Sequence, residues 1–388
     1  MTYAKPRLCI VTPRQRGGGS EYQIECLIDA LLQLDSHEIF LLVRHTAAPP
    51  LPTAYRVVKI GRGDAMPRFG YTMDAIPLYR ALRSIAPQAI YQRVACGYTG
   101  ICAWYARRHG ARMVWHVASD SDLTRRGLVA GRNPLRPLLE KRSIEYAIRR
   151  ANCIVVQTQH QAELLQKTYA RTADAVVPNF HPPPKERIDK TGPMSIVWIG
   201  NFKPLKQPEA FVRLAARLGD LSRVRFVMVG APSSGSGDQA WSAALMASIR
   251  STPNLEYLGE QSQDEVNELL ARAHVYVNTS QFEGFANTFI QAWMREVAVI
   301  SLHVNPDGVF EREGVGVHAG SEDELMRAVR QLIVDAALRG SYTSRGLRYA
   351  MRSHSMQNVQ RLIELIDAGA SQLRAPGAAT AAPLKSQS

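Results

Sequence analysis

The sequence predicts an α/β protein of two doubly wound domains facing a cleft, and three observations carry that prediction. Short, continuous apolar runs alternate with amphipathic helical patterns along almost the whole chain. A proline-rich break interrupts the alternation once, near the middle, and the alternation then restarts. The 388 residues are 46% apolar and 21% charged, which suits two globular cores and excludes a disordered, collagenous or fibrous chain.

The first strand is Arg7-Leu-Cys-Ile-Val-Thr-Pro13, apolar on both faces as in a parallel sheet covered by helices. A glycine-rich loop follows, then a helix carrying Ile24, Leu27, Ile28, Leu31 and Leu34 on one face. Ser20 and Gln23 have capping-box spacing, which starts that helix just past the glycines. Further strands are expected at 38–43, 56–60, 89–92, 112–117 and 153–157, completing a first domain over 1–181. The stretch 182–193 holds four prolines, a glycine and several charges, and reads as a linker. The second domain, 194–343, repeats the pattern: strands at 195–199, 224–229, 255–258, 274–278 and 297–302, and helices at 208–218, 238–251, 263–272 and 287–295. One last long helix is expected over 344–367, closing at Gly369. The tail, 370–388, is rich in Ala, Pro and Ser and reads as disordered. No apolar run approaches the ~18 residues of a membrane span. The N-terminus leads straight into a strand without the pattern of a signal peptide.

The net charge of +13 is unevenly placed. Residues 1–190 hold 28 Lys and Arg against 15 Asp and Glu, whereas residues 191–388 hold 19 of each. A positive field on one half points to an anionic partner there or to a solvated basic surface. The five cysteines, Cys9, Cys26, Cys96, Cys102 and Cys153, form no C-x-x-C pair, which disfavours zinc and a disulfide framework and suits a reducing, cytoplasmic compartment.

Three strand-to-helix loops can carry chemistry. In Arg14-Gln-Arg-Gly-Gly-Gly-Ser20 the glycines admit a close ligand, and the following helix start offers N–H groups to an anion. The loop fits neither a dinucleotide nor a Walker pattern. In Gly200-Asn-Phe-Lys-Pro-Leu-Lys206, Lys203 and Lys206 flank a helix start and suit a diphosphate. After the strand ending at Asn278, Glu283 precedes a glycine turn, the N–H groups of Ala286, Asn287 and Thr288 point out of a helix start, and Gln291 lies one turn further in. A carboxylate and an amide so placed can hold sugar hydroxyls while the N–H groups hold phosphate. The alternatives are a flexible turn, two surface lysines, and a Glu capping its own helix.

With these pieces in order, from Gly18-Gly19 through His116, Val176-Val-Pro-Asn179, Gly200 with Lys206, Phe226-Val-Met-Val-Gly230 and Leu258-Gly259 to Glu283-Gly-Phe285, the chain resembles GT-B-fold glycosyltransferases of the large retaining family 4. The likeness spans nearly the whole chain and closely follows a branch reading E-G-F-x-N-T-F-x-Q-A-W. It implies two Rossmann-like domains, the first binding acceptor and the second a nucleotide-sugar donor, with the last helix crossing back over 344–369. It further implies Gly18 and Gly19 lining the cleft, His116 beside the transferred sugar, Lys206 on the donor phosphates and Glu283 on the sugar. The amides of Phe285, Ala286, Asn287 and Thr288 would bind phosphate, and Gln291 would face the ribose. Catalysis would rest on His116, Lys206 and Glu283, with no metal and no cofactor beyond the donor.

The chain also departs from the family pattern. The usual Arg after Gly200 is Asn201, for which Lys203 would substitute. The second Glu of the paired motif is Gln291, which loses a charge-assisted bond to a ribose. His116 is followed by Val117 rather than Asp, and Glu296 stands where the family has Gly. Asp120-Ser-Asp122 spells a metal-binding triplet, but the fold points to loop carboxylates near the acceptor.

The resemblance implies a retaining, metal-independent hexosyltransferase acting on a glycan or lipid-linked acceptor, in bacterial exopolysaccharide, capsule or lipopolysaccharide synthesis. Basic residues interleaved with Leu and Tyr at 105–112 and 125–150 suit peripheral contact with an anionic bilayer on the cytoplasmic face of the inner membrane. The rivals are a GT-B-fold nucleotide-sugar epimerase, for which no matching carboxylate set is found, and a catalytically silent relative. A nucleic-acid binder would explain the charge, but no helix-turn-helix, zinc or aromatic signature supports a nucleic-acid partner.

Overall fold

The computed structural model describes residues 4–46, 54–61, 70–124, 135–232 and 239–368. The expected close at Gly369, the tail 370–388 and the basic residues of 125–134 lie outside them.

The first domain runs β1 (Arg7–Arg14), α1 (Gly19–Gln33), β2 (Glu38–His45), β3 (Arg56–Lys59), α2 (Ala75–Ile85) and β4 (Ala89–Gln92). It continues with α3 (Gly97–His109), β5 (Arg112–His116), α4 (Leu135–Arg150), β6 (Cys153–Val156), α5 (Gln159–Tyr169) and β7 (Ala175–Val176). Its seven strands lie in the order β3-β2-β1-β4-β5-β6-β7, all parallel. Alternation along β1 divides the core between two faces. Leu8 and Ile10 pack with Leu27 and Leu31 of α1, whereas Cys9 and Val11 pack with Leu82 and Trp115.

The second domain runs β8 (Ser195–Ile199), α6 (Pro208–Arg217), β9 (Arg225–Val229), α7 (Gln239–Arg250), β10 (Leu255–Tyr257), α8 (Gln263–Arg272) and β11 (Val275–Asn278). There follow α9 (Asn287–Met294), β12 (Ala298–Ser301), α10 (Val309–Glu313), β13 (Gly316–His318), α11 (Glu322–Val334), α12 (Ala336–Ser353) and α13 (Gln357–Asp367). The strand order is β10-β9-β8-β11-β12-β13, again parallel. Each chain path therefore reverses direction across its sheet once, between β1 and β4 and between β8 and β11. The crevices at the carboxyl ends of those strand pairs are where doubly wound sheets bind ligands.

Two local expectations are corrected. The capping box at Ser20 does not form: Gly18 is the N-cap without a side-chain bond. Gln23 instead turns inward, donating to Phe180 O at 2.7 Å and accepting from Phe180 N at 3.0 Å. The single long helix over 344–367 is two helices. The chain leaves helical geometry at His354 (φ −128°), whose buried Nδ1 donates to Asn179 O at 2.7 Å. The first of the two, α12, stays on the second domain against α9 and β12. The second, α13, buries Val359, Leu362, Ile363 and Ile366 in the first domain's core. The sequence reading also omitted the short edge strands β7 and β13. The five cysteines are free and buried. Among the described residues no helix is long and apolar enough to cross a membrane.

Candidate active site in the interdomain cleft

At the second domain's crevice, the loop after β8 alternates. Phe202 is buried between Trp198 and Tyr257, which leaves Asn201 and Lys203 exposed on either side of it. The loop needs the glycine at the end of β9: a Cβ at Gly230 would lie 1.9 Å from Gly200 O. Its far end is stapled to the strand beside it. Trp198 Nε1 donates to Thr279 Oγ1 at 2.8 Å, and Thr279 Oγ1 donates to Lys206 O at 2.7 Å. These bonds aim Lys206 at the loop after β11, where its Nζ donates to Glu283 Oε1. Ser280 Oγ donates to the same oxygen at 2.8 Å. Both partners keep some exposure, 26% for Lys206 and 17% for Glu283.

The helix that follows begins without a cap. Ala286 is extended and makes no side-chain cap bond, and among the described residues the N–H groups of Asn287 and Thr288 meet no acceptor. The end is therefore a positive, unfilled pole. The Phe285 side chain points away from it, stacked on His354 at 4.4 Å.

The first domain closes directly onto this loop. Asn287 Nδ2 donates to Gly19 O at 2.7 Å, and a Cβ at Gly19 would lie 2.5 Å from that nitrogen. Gly284 abuts Gln161 and Ala118 with no room for a side chain. Asp307 reaches across to cap α5, accepting from Gln159 N at 3.0 Å and His160 N at 2.9 Å. Gly18 leaves space for the Glu21 carboxylate, which burial pushes up while Arg14, Lys203 and Arg93 pull it back.

The structure thus gathers Gly18, Gly19, Gly200, Asn201, Lys203, Lys206, Glu283 and the start of α9 at one cleft. Four expected residues are engaged within the protein. His116 is fully buried: Arg93 donates to its Nδ1 at 2.8 Å, so Nε2 carries the proton and donates to Val177 O at 3.1 Å. Burial and the Arg93 charge hold it well below its ordinary pKa, and neither ring nitrogen is left for a sugar. Gln291 is buried against α8, donating to Asn267 Oδ1 at 2.9 Å and Gln263 Oε1 at 3.1 Å. The Asp122 carboxylate accepts from Ala118 N and Ser119 N, each at 3.0 Å, and burial raises its pKa to about 6. Asp120 instead reaches across to α5, accepting from Gln161 Nε2 at 3.0 Å, so the two carboxylates are engaged in different directions. Sequence reasoning passed over Arg93, Glu21 and the 69% exposed Phe282 beside Glu283. A charge directly after an apolar strand, as in Tyr91-Gln-Arg93, was the available signal.

Residues 193–335 match the family described as glycosyl transferases, group 1. A D-inositol 3-phosphate glycosyltransferase of Stackebrandtia nassauensis is 23% identical over 279 residues, covering 66% of this chain and 62% of that protein. Among solved structures, sucrose-phosphate synthase from Thermosynechococcus elongatus superposes with TM-score 0.76 at 14% identity, over 95% of this chain and 99% of that one. Anabaena Alr3699/HepE in complex with UDP and glucose superposes with TM-score 0.73 at 15% identity, over 94% and 100%. The two-sheet architecture is that of GT-B glycosyltransferases. Glu296, where the resemblance leads one to expect glycine, takes a left-handed φ of 54° in the turn after α9.

Proposed function

We propose that the chain is a retaining glycosyltransferase that moves a hexose from a nucleoside-diphosphate sugar to a hydroxyl of a glycan or lipid-linked acceptor, without a metal ion. The observation that carries this reading is the Lys206–Glu283 pair beside the uncapped start of α9. A diphosphate there meets two free N–H groups and the exposed Lys203, and it competes with Glu283 for Lys206. Once released from Lys206, the Glu283 carboxylate is free to accept a sugar hydroxyl. The cations then stabilise charge on the departing diphosphate, whose oxygen can take the acceptor proton on the face where the new bond forms. Anabaena Alr3699/HepE, solved with UDP and glucose, supports a nucleotide-sugar donor by fold likeness.

The first domain would receive the acceptor. Its α4 exposes Leu138 and Leu139 beside Lys141 and Arg142, an apolar and basic surface suited to anionic lipid on the cytoplasmic face of a membrane. Sedimentation with anionic and with neutral liposomes tests that part, and equal partitioning overturns it.

The donor reading is tested by adding UDP, GDP, ADP, CDP and dTDP in turn and following thermal unfolding. One diphosphate should raise the midpoint clearly, and its α-linked sugar conjugates should be consumed to give α-linked product by NMR. No shift with any of the five overturns the reading, and a β-linked product overturns retention.

A further inference from the structure

Arg93 follows β4 at the first domain's crevice, and its side chain is 1% exposed. Among the described residues no carboxylate lies within ion-pair distance of it, although its charge reaches the buried Glu21 and Asp122 carboxylates. One terminal nitrogen donates to His116 Nδ1 at 2.8 Å and lies 3.4 Å from Tyr91 Oη, the other donates to Asn179 Oδ1, and Nε is buried without an acceptor. A buried guanidinium whose direct hydrogen-bond partners are all neutral is costly to maintain, so its placement calls for a function.

The bonds continue beyond it. Asn179 turns its amide nitrogen to the second domain, donating to Phe285 O and to Asn287 Oδ1, both at 2.9 Å. Asn287, the first residue of α9, donates in turn to Gly19 O at 2.7 Å. An unbroken polar relay therefore runs from His116 through Arg93 and Asn179 to the Asn287 side chain at the start of α9, and back to the glycine loop.

We propose that Arg93 is a positioning residue for the donor-phosphate site: through Asn179 it fixes where the start of α9 stands against the first domain. The guanidinium's planar fork holds His116 and Asn179 at a set angle, so that Asn179 Oδ1 is occupied and its nitrogen must face α9. Donor affinity, a property of the second domain, then depends on a residue buried in the first. This inference rests on the reading of the α9 start as a phosphate site.

The test is a double-mutant cycle on the full chain, R93K, N179A and R93K/N179A, read as the affinity of whichever of the five diphosphates binds wild type, by titration calorimetry. R93K keeps the charge but loses the fork, so a merely electrostatic Arg93 leaves affinity unchanged. Positioning predicts about a tenfold loss in each single variant and little further loss in the double, because both cut one relay. R44K serves as the stability control. Arg44 is a second buried arginine of the first domain, bound to Asp74 at 2.7 Å, and R44K should lower the unfolding midpoint without changing affinity. Unchanged affinity in folded R93K and N179A, additive losses, or an equal loss in R44K overturns the proposal. If R93K does not fold, N179A against N287A reads the same relay with the same expectation. Absence of binding to wild type overturns the functional reading and this proposal with it, and shows in wild type alone.

Discussion

The two crevices are built by the same strand reversal but use their polar groups in opposite ways. At β8 and β11 the lysines and amide groups stand at the surface, held by backbone staples, with Asn201 and Lys203 exposed and two N–H groups unfilled. At β1 and β4, Arg14 and Arg16 are exposed at the rim, but beneath it Arg93 and His116 are almost wholly buried and bond to one another. Groups left unfilled can be spent on a ligand, whereas groups already satisfied can only set the position of something else. On the proposed reading, the second crevice has the chemistry of binding and the first that of alignment.

The sharpest way to break this contrast is Lys206→Ala. If the second crevice stabilises charge on a departing diphosphate, turnover should fall about 100- to 1000-fold. The unfolding midpoint should hardly move, because the lysine is partly exposed and its loop is stapled through backbone oxygen. Steady-state kinetics beside thermal unfolding would check it, and retained turnover would sink the assignment. His116→Ala should do the reverse. It removes the acceptor from a buried guanidinium and should cost about 2–3 kcal/mol of stability, while the surviving folded enzyme keeps a measurable turnover. Denaturant titration against activity per folded molecule separates the two outcomes. Loss of activity at unchanged stability would return His116 to the substrate.

Much of this was legible in the sequence, and what was not has a common cause. The strands and the cleft loops follow from apolar runs and glycines, which report local backbone requirements. Lys206 and Glu283 came from their motifs, although their contact did not, because it spans 77 positions. His116 was expected beside the sugar, but a motif that places a ring at a strand end does not say which way it points, and here both ring nitrogens bond within the first domain. Gln291 was set facing a ribose, yet its amide nitrogen bonds to Asn267 and Gln263, polar residues whose helical pattern gave no hint of a partner. The broken final helix depends on Asn179, 175 residues upstream of His354. Such contacts are tertiary, and no periodicity records them.

Acid should weaken the fold through the buried histidines of the hinge. His354 and His181, at the two places where the chain crosses between domains, are both lowered to about 4, chiefly by burial. The unfolded chain binds protons on them from about pH 6.5 downward. Their stabilising contribution is therefore full above that pH and is lost as pH falls toward 4. Asp122 acts in the opposite direction: with its pKa raised to about 6 it destabilises when ionised, so acidification relieves part of the loss. From these three groups the fold should be weaker by about 2 kcal/mol at pH 5 than at pH 7. Asp122→Asn should steepen that slope, since it removes the compensating group. A flat stability profile from pH 7 to 5 would show that the histidines are not held neutral.

The smallest expected effect tests whether the two crevices are held together from outside. Asp307 belongs to the second domain, yet both its oxygens cap the first two N–H groups of α5 in the first. It does so in a left-handed conformation (φ 50°) that costs a non-glycine residue on the order of 1 kcal/mol. Asp307→Ala removes the cap and keeps the strain. It should lower stability by about 0.5–1 kcal/mol, near the low end for caps because the contact is exposed. Asp307→Gly removes the same cap but releases the strain, so it should be nearly neutral in stability. Both should loosen the domains to the same extent, because the bridge is gone in each. The informative result is a separation of the two readouts: an equal rise in radius of gyration by small-angle scattering for Ala and Gly, with only Ala less stable. If neither variant widens the molecule, the relay through Asn179 and Asn287 holds the domains by itself, and Asp307 acts only as a cap for α5.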